Sequence, residues 1–207
     1  MLVLFCEYKK SRLSAASSCL TNTNTSTSIR TLMHGVLLRK IRFSDTSLIT
    51  TWFTDARGKI KTIAKGALRS KSPFVGKLDL FFNCDLLLSL ARKSEIHTLR
   101  EVSVLQHFDR IRRNYVNTAV ASYFVELIEE VTEPEHAVIE IYDLLLRAFG
   151  YLDSSTPGAQ TITFFESELC KYMGLQGSRV SAAERIVEAF GRLPRSRREV
   201  MGMLESR

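Results

Sequence analysis

Thr46–Lys65 reads TSLITTWFTDARGKIKTIAK, two stretches of period two on either side of a turn, which is the pattern of a β-hairpin. Asp55-Ala56-Arg57-Gly58 makes the reversal, because Gly58 can take the positive φ that a tight turn needs. The predicted strands are 46–55 and 58–65. In the second, Lys59, Lys61 and Lys65 share one parity while Ile60, Thr62 and Ala64 share the other, and successive side chains of a strand point to opposite faces. One face is therefore a row of cations and the other is core.

The same period extends from Met33 to Gln106 and predicts five strands, 33–43, 46–55, 58–65, 78–90 and 95–105. In the fourth, Leu80, Phe82, Cys84, Leu86, Leu88 and Leu90 read as core, which leaves Phe81, Asn83 and Asp85 on the opposite side. Five short strands with a basic face suit a small closed barrel of the oligonucleotide-binding type. From Asp109 the period lengthens to that of a helix, with Val120, Tyr123, Phe124, Leu127 and Val131 on one stripe. Thr132-Glu133-Pro134-Glu135 reads as a capping box opening a helix that buries Val138, Ile141, Leu145 and Phe149. A further helix spans about 160–173 up to Gly174, Ser181-Ala182-Ala183-Glu184 opens another, and Ser196-Arg197-Arg198-Glu199 a short last one. The expected class is α+β, a five-stranded barrel over 31–106 followed by an all-helical domain over 107–207.

Charge divides the chain at the same place. Residues 31–105 hold 13 Lys or Arg against six acids, a net of +7, and residues 106–207 hold 12 against 15, a net of −3. Seven of the cations (Arg57, Lys59, Lys61, Lys65, Arg69, Lys71, Lys77) follow one another with no acid between them. A row of cations that neutralises successive phosphates releases condensed counterions, so this run is the footprint of a polyanion-binding surface.

Residues 1–30 resemble neither domain. TNTNTSTS at 21–28 cannot repay the entropy of ordering, so the segment is expected to be a disordered leader or an upstream-assigned start, with Met33 opening the first strand. Its short apolar run precedes Lys9, Lys10 and Arg12, the reverse of a secretory signal, and is too short to span a bilayer. A cytoplasmic protein with no membrane partner is expected. Cys6, Cys19, Cys84 and Cys170 contain no C-x-x-C pair, and His34, His97, His107 and His136 have no ligand spacing, so neither a metal nor a cofactor is expected.

The sequence resembles the RecO family on Ser44-Asp45-Thr46-Ser47-Leu48-Ile49, Phe53-Thr54 with the Gly58 turn, Ile63-Ala64-Lys65-Gly66-Ala67, Gly76-Lys77-Leu78-Asp79-Leu80-Phe81 and Glu95-Ile96-His97-Thr98-Leu99-Arg100-Glu101. The likeness continues through Ala121–Leu127 and Tyr142–Leu146 and covers about 31–175. It implies an N-terminal oligonucleotide-binding barrel and a C-terminal helical domain. It further implies a recombination mediator of DNA repair that binds single- and double-stranded DNA and anneals strands coated with single-strand-binding protein. With RecR, such a protein helps load RecA, needs no catalytic residue and works near the nucleoid. Many members carry a zinc ribbon or a degenerate version of it after the position of Leu175. Here 176–180 runs directly into the Ser181 helix.

The expected phosphate contacts are Lys59, Lys61, Lys65, Arg69 and Lys71, within the run from Arg57 to Lys77 and flanked by Arg39, Lys40, Arg92, Lys93 and Arg100. Phe74 and Phe81 are the expected stacking platforms for bases. The helical domain would hold the acidic tail of single-strand-binding protein. Two rival readings are an RNA-binding barrel with a helical interaction module, and a nuclease using Asp45, Asp79 and Asp85 as metal-binding carboxylates. No four residues have zinc-ligand spacing, so purified protein should hold no stoichiometric zinc and chelation should leave its melting temperature unchanged. Elemental analysis giving one zinc per chain would contradict this.

Overall fold

The computed structural model describes residues 30–175, Gly177 and residues 180–206. The expectation of a leader before Arg30 lies outside the described residues, as do Gln176, Ser178 and Arg179 in the stretch before the Ser181 helix. The strands are β1 (Arg30–Arg42), β2 (Leu48–Thr54), β3 (Gly58–Ala64), β4 (Asn83–Ser89) and β5 (Ile96–Gln106). The helices are α1 (Asp109–Arg113), α2 (Tyr115–Val131), α3 (Ile139–Ser154), α4 (Ala159–Tyr172), α5 (Ala182–Phe190) and α6 (Ser196–Glu205).

The strands close a barrel in the order β1-β2-β3-β5-β4, with β1 pairing both β2 and β4 and with β3 and β5 parallel. The alternation expected of β3 is present: Ile60, Thr62 and Ala64 are buried and Lys61 is exposed. Leu37, Trp52, Ile60, Cys84, Leu86 and Leu88 fill the interior. Burial pushes the Cys84 thiol up to about 12, that of an inert core residue. The Trp52 indole donates to the hydroxyls of Thr50 (2.9 Å) and Thr62 (3.1 Å), a cross-strand pair 2.7 Å apart, so the polar atoms at the centre of the barrel are satisfied.

A bulge between Leu37 and Arg39 breaks the β1–β2 register. It lets neighbouring residues face two cores, Leu37 inside the barrel and Leu38 against the helices. Val36, Phe53 and Phe81 join Leu38 in that second core, which is built mainly from α2, α3 and α4. Deeper among the helices, Glu166 is 1% exposed and accepts from Tyr123 Oη (2.5 Å) and from Arg197 Nε (2.6 Å), tying α4 to α2 and α6.

Several boundaries differ from the sequence reading. β1 begins at Arg30, where it already pairs Ser89, rather than at Met33. β4 begins at Asn83 instead of 78, because Phe81 has φ +69, outside any strand, and its ring meets Phe149 edge-on at 5.4 Å. Thr132 does not open a helix: its hydroxyl donates to Ile128 O and ends α2, and 132–138 form a connection before α3. That connection packs on β3 through a bridge between Lys59 and Pro134.

Gly58 sits under this contact with φ +61, and a Cβ there would stand 1.9 Å from His136 O, a backbone atom with nowhere to go. Gly58→Ala should therefore cost at least about 2 kcal/mol, combining left-handed strain with displacement of the connection. In thermal unfolding followed by circular dichroism this is a drop of roughly 4–8 °C. An unchanged midpoint would show that the contact is dispensable.

Candidate nucleic-acid interface

β3 places Lys59 and Lys61 on the outside of the barrel, and both line a cleft of about 1070 Å³ between the β1–β2–β3 face and the helices. Ile41, Ile49 and Ile96 form part of its barrel side, and Glu126, Glu129, Glu130, Arg192 and Arg195 face them.

The expected cations separate into two groups. The first is engaged within the protein. Lys59 Nζ donates to Glu129 O and Thr132 O, 2.6 Å each, at the C-terminal end of α2, where carbonyls lack partners and the helix dipole favours a cation. Burial lowers its pKa, opposed by Glu129 and Glu130. Arg39 pairs Glu129 at 2.7 Å, and Lys40 meets Asp79 at 2.8 Å and Leu78 O at 3.2 Å. Arg57 pairs Glu135, and Arg100 Nε donates to Ser89 Oγ at 2.8 Å while remaining exposed.

The second group has no hydrogen bond or ion pair from its side chains among the described residues: Lys61, Lys65, Arg69, Lys71, Lys77, Arg92 and Lys93. Lys65 to Lys77 lie on a chain of turns, closed by Arg69 N to Gly66 O (3.1 Å), Ser72 N to Arg69 O (3.0 Å) and Lys77 N to Phe74 O (3.1 Å). Arg92 and Lys93 lie on the β4–β5 turn, just before Ile96, the parallel partner of Lys61. The free cations thus flank the outer β1–β2–β3 face.

Both aromatic expectations are corrected. Phe74 is 5% exposed and anchors the basic turns into the barrel core, and Phe81 is 4% exposed in the helical core. Neither ring can meet a base. The three carboxylates of the nuclease reading are not brought together: Asp45 pairs Arg42, Asp79 is shared by Lys40 and Arg112, and Asp85 lies 3.2 Å from His34. Arg192 and Arg195 reach the cleft from a domain whose net charge is negative, and are not among the contacts expected from the sequence. The cluster of Arg192, Arg195, Arg197 and Arg198 was the available signal. Arg192 holds Glu130 with two bonds, 2.7 and 3.1 Å, which draws the Glu130 carboxyl below its ordinary range.

The family models described as recombination protein O N terminal and recombination protein O C terminal match residues 29–108 and 112–178. A DNA repair protein RecO from Desulfatibacillum aliphaticivorans is 39% identical over 120 residues, covering 58% of this chain and 46% of that protein. The one from Rhodopirellula baltica is 30% identical over 139 residues, 67% and 52% of the two chains. The one from Anaeromyxobacter dehalogenans strain 2CP-C is 29% identical over 165 residues, 80% and 65% of the two. The chain spans about half the length of the first of these curated relatives.

The Arg57 guanidinium holds the Glu135 carboxyl below its ordinary 4.5, against an opposing effect of burial and with help from His97. His97 Nδ1 accepts from Ala91 N at 3.2 Å, so the ring proton sits on Nε2, 3.1 Å from Glu135. A depressed carboxylate stabilises the fold above its unfolded pKa and loses that contribution as pH falls through the folded one. The melting-point gap between wild type and Glu135→Gln should therefore be widest above the ordinary glutamate value of 4.5 and narrow as pH falls below it. A gap independent of pH would remove Glu135 from this contact.

Proposed function

This chain belongs to the RecO family, and from that membership we propose that it is a recombination mediator of DNA repair, binding DNA through the outer face of its barrel. The observation that carries the reading is the set of seven cations on and beside that face whose side chains are unpaired among the described residues, in a fold whose corresponding face and loops suit an oligonucleotide. Single strands and duplexes both present phosphates to it, so both bind, single strands with their bases accessible. Annealing follows from the electrostatics. Phosphate repulsion is the main obstacle to pairing two strands, and a surface that neutralises both backbones while leaving base edges free removes it.

RecR, the acidic tail of single-strand-binding protein and, indirectly, RecA are the partners this role requires, and the nucleoid is its place of action. No helix among the described residues is long and apolar enough to cross a membrane. The chemistry proposed is the annealing of complementary strands without bond breaking, so no side chain is assigned a catalytic role.

The division of the cations makes the proposal testable. Lys61→Ala, Lys65→Ala and Arg69→Ala combined should weaken binding to every DNA sequence and lower the slope of log affinity against log salt by about two to three, the loss of three phosphate contacts. Lys59→Ala should instead lower the melting temperature, because it strips the Glu129 and Thr132 carbonyls, at the C-terminal end of α2, of their donor. Gel shifts over a salt series with single-stranded DNA, duplex DNA and structured RNA decide it. Undiminished DNA binding by the folded triple variant, or tighter binding to RNA than to either DNA, would overturn the assignment.

A further inference from the structure

Phe74 and Phe81 are core residues, yet the barrel does offer one large ring to solvent beside its free cations. Phe43, in the turn between β1 and β2, is 60% exposed. The turn is held in place rather than left loose. Phe43 N donates to Ser47 O at 3.0 Å and Ser44 N to the same oxygen at 3.3 Å. Leu68 N donates to Thr46 O at 2.9 Å and Gly66 N to Ser47 Oγ at 3.4 Å, so the turn leans on the basic turns that follow β3.

Register shows what the ring stands beside. Arg42 pairs Leu48 and Leu48 pairs Ala64, a row running straight across β1, β2 and β3. Phe43 and Lys65, each one residue further on, leave the same end of the barrel about 10 Å apart, two strand spacings. The side chains of Lys65 and Arg69 make no hydrogen bond or ion pair among the described residues. Arg42, next to the ring, bonds Ser44 O at 3.3 Å and Asp45 at 3.2 Å, which keeps its guanidinium in the turn. An apolar face on a fixed backbone, with unpaired cations a nucleotide's reach away, matches the chemistry of one nucleotide. The base is a π-face that stacks, and the phosphate is an anion.

We infer that Phe43 is a base-stacking platform for single-stranded nucleic acid, the phosphates beside the stacked base being met by Lys65 and Arg69. The inference rests on the nucleic-acid reading of the barrel face and deepens it, because a duplex keeps its base faces inside the stack and cannot use the ring. Stacking is tolerant of sequence, since every base has a π-face. Phe43 thereby separates what the cations alone do not: they hold both forms of DNA, and the ring favours the open one.

The test compares wild type, Phe43→Ala and Phe43→Trp by fluorescence anisotropy on a labelled oligothymidine and on a duplex of equal length, with circular dichroism as the check on folding. Phe43→Ala should weaken single-strand binding about tenfold, within the range that loss of one stacked base produces, and duplex binding less than about twofold. Its salt slope should not change, because no phosphate contact is removed. Phe43→Trp should bind as wild type does, and its emission should be quenched by the single strand. The native Trp52, the one tryptophan of the chain, is fully buried and supplies a constant background. Equal losses on both DNA forms, no loss on the single strand, or an unquenched Phe43→Trp would each overturn the role of Phe43 and leave the cationic face standing. Wild type that binds neither form at low salt would overturn the face itself.

Discussion

A single lysine on an outer strand holds the two halves of the molecule in register. Lys59 hydrogen-bonds through both ends: its ammonium takes the Glu129 and Thr132 carbonyls, and its backbone oxygen accepts from Glu135 N at 2.9 Å. An ammonium at the C-terminal end of α2 meets carbonyls that the helix itself cannot satisfy, and the dipole adds to the attraction. The preceding residue must be glycine, because the connection between α2 and α3 passes where a Cβ would be. Arg57 and His97 close on Glu135 from either side. The barrel and the helices therefore meet through a small polar clamp beside a large apolar core, and the clamp selects one orientation while the core supplies most of the free energy.

This arrangement determines which cations remain for a ligand. Arg39 and Arg192 neutralise Glu129 and Glu130, so much of the acidic wall facing the barrel is already compensated and does not repel a phosphate backbone as bare carboxylates would. Among the described residues, the side chains of Lys61 and of the cations on the turns beyond β3 stay unpaired. Because those turns are anchored by Phe74 inside the barrel, their lysines and arginines project from a rigid base, and less ordering entropy is lost when they meet an anion. Phe74, which lost its expected role as a stacking platform, is what keeps the cations of those turns in position.

Short-range physics was legible along the chain. The hairpin turn at Gly58, the alternation of Lys61 with Ile60 and Thr62, the capping box at Ser181 and the αL stop at Gly174 each depend on residues a few positions apart, and all are present in the fold. The capping box assigned to Thr132 failed for an equally local reason. Its hydroxyl bonds Ile128 O one turn back, beside the backbone N–H that reaches the same oxygen, and a following helix that starts only at Ile139 cannot use it. Phe81 misled because parity counts faces without knowing where a strand begins; at φ +69 it has left the strand, and what lay across from it was an aromatic of α3.

What the sequence by itself determined was the class of most segments and the location of excess positive charge, since period and composition act within one strand or one turn. Which of those charges are free was decided only by the tertiary structure. Lys59 and Lys61 are two residues apart on the same face of one strand, chemically identical in any local reading. One is held by carbonyls about seventy positions away and the other faces open solvent. A contact between distant residues leaves no trace in local spacing, because its energy is realised only after the barrel and the helices have closed on each other.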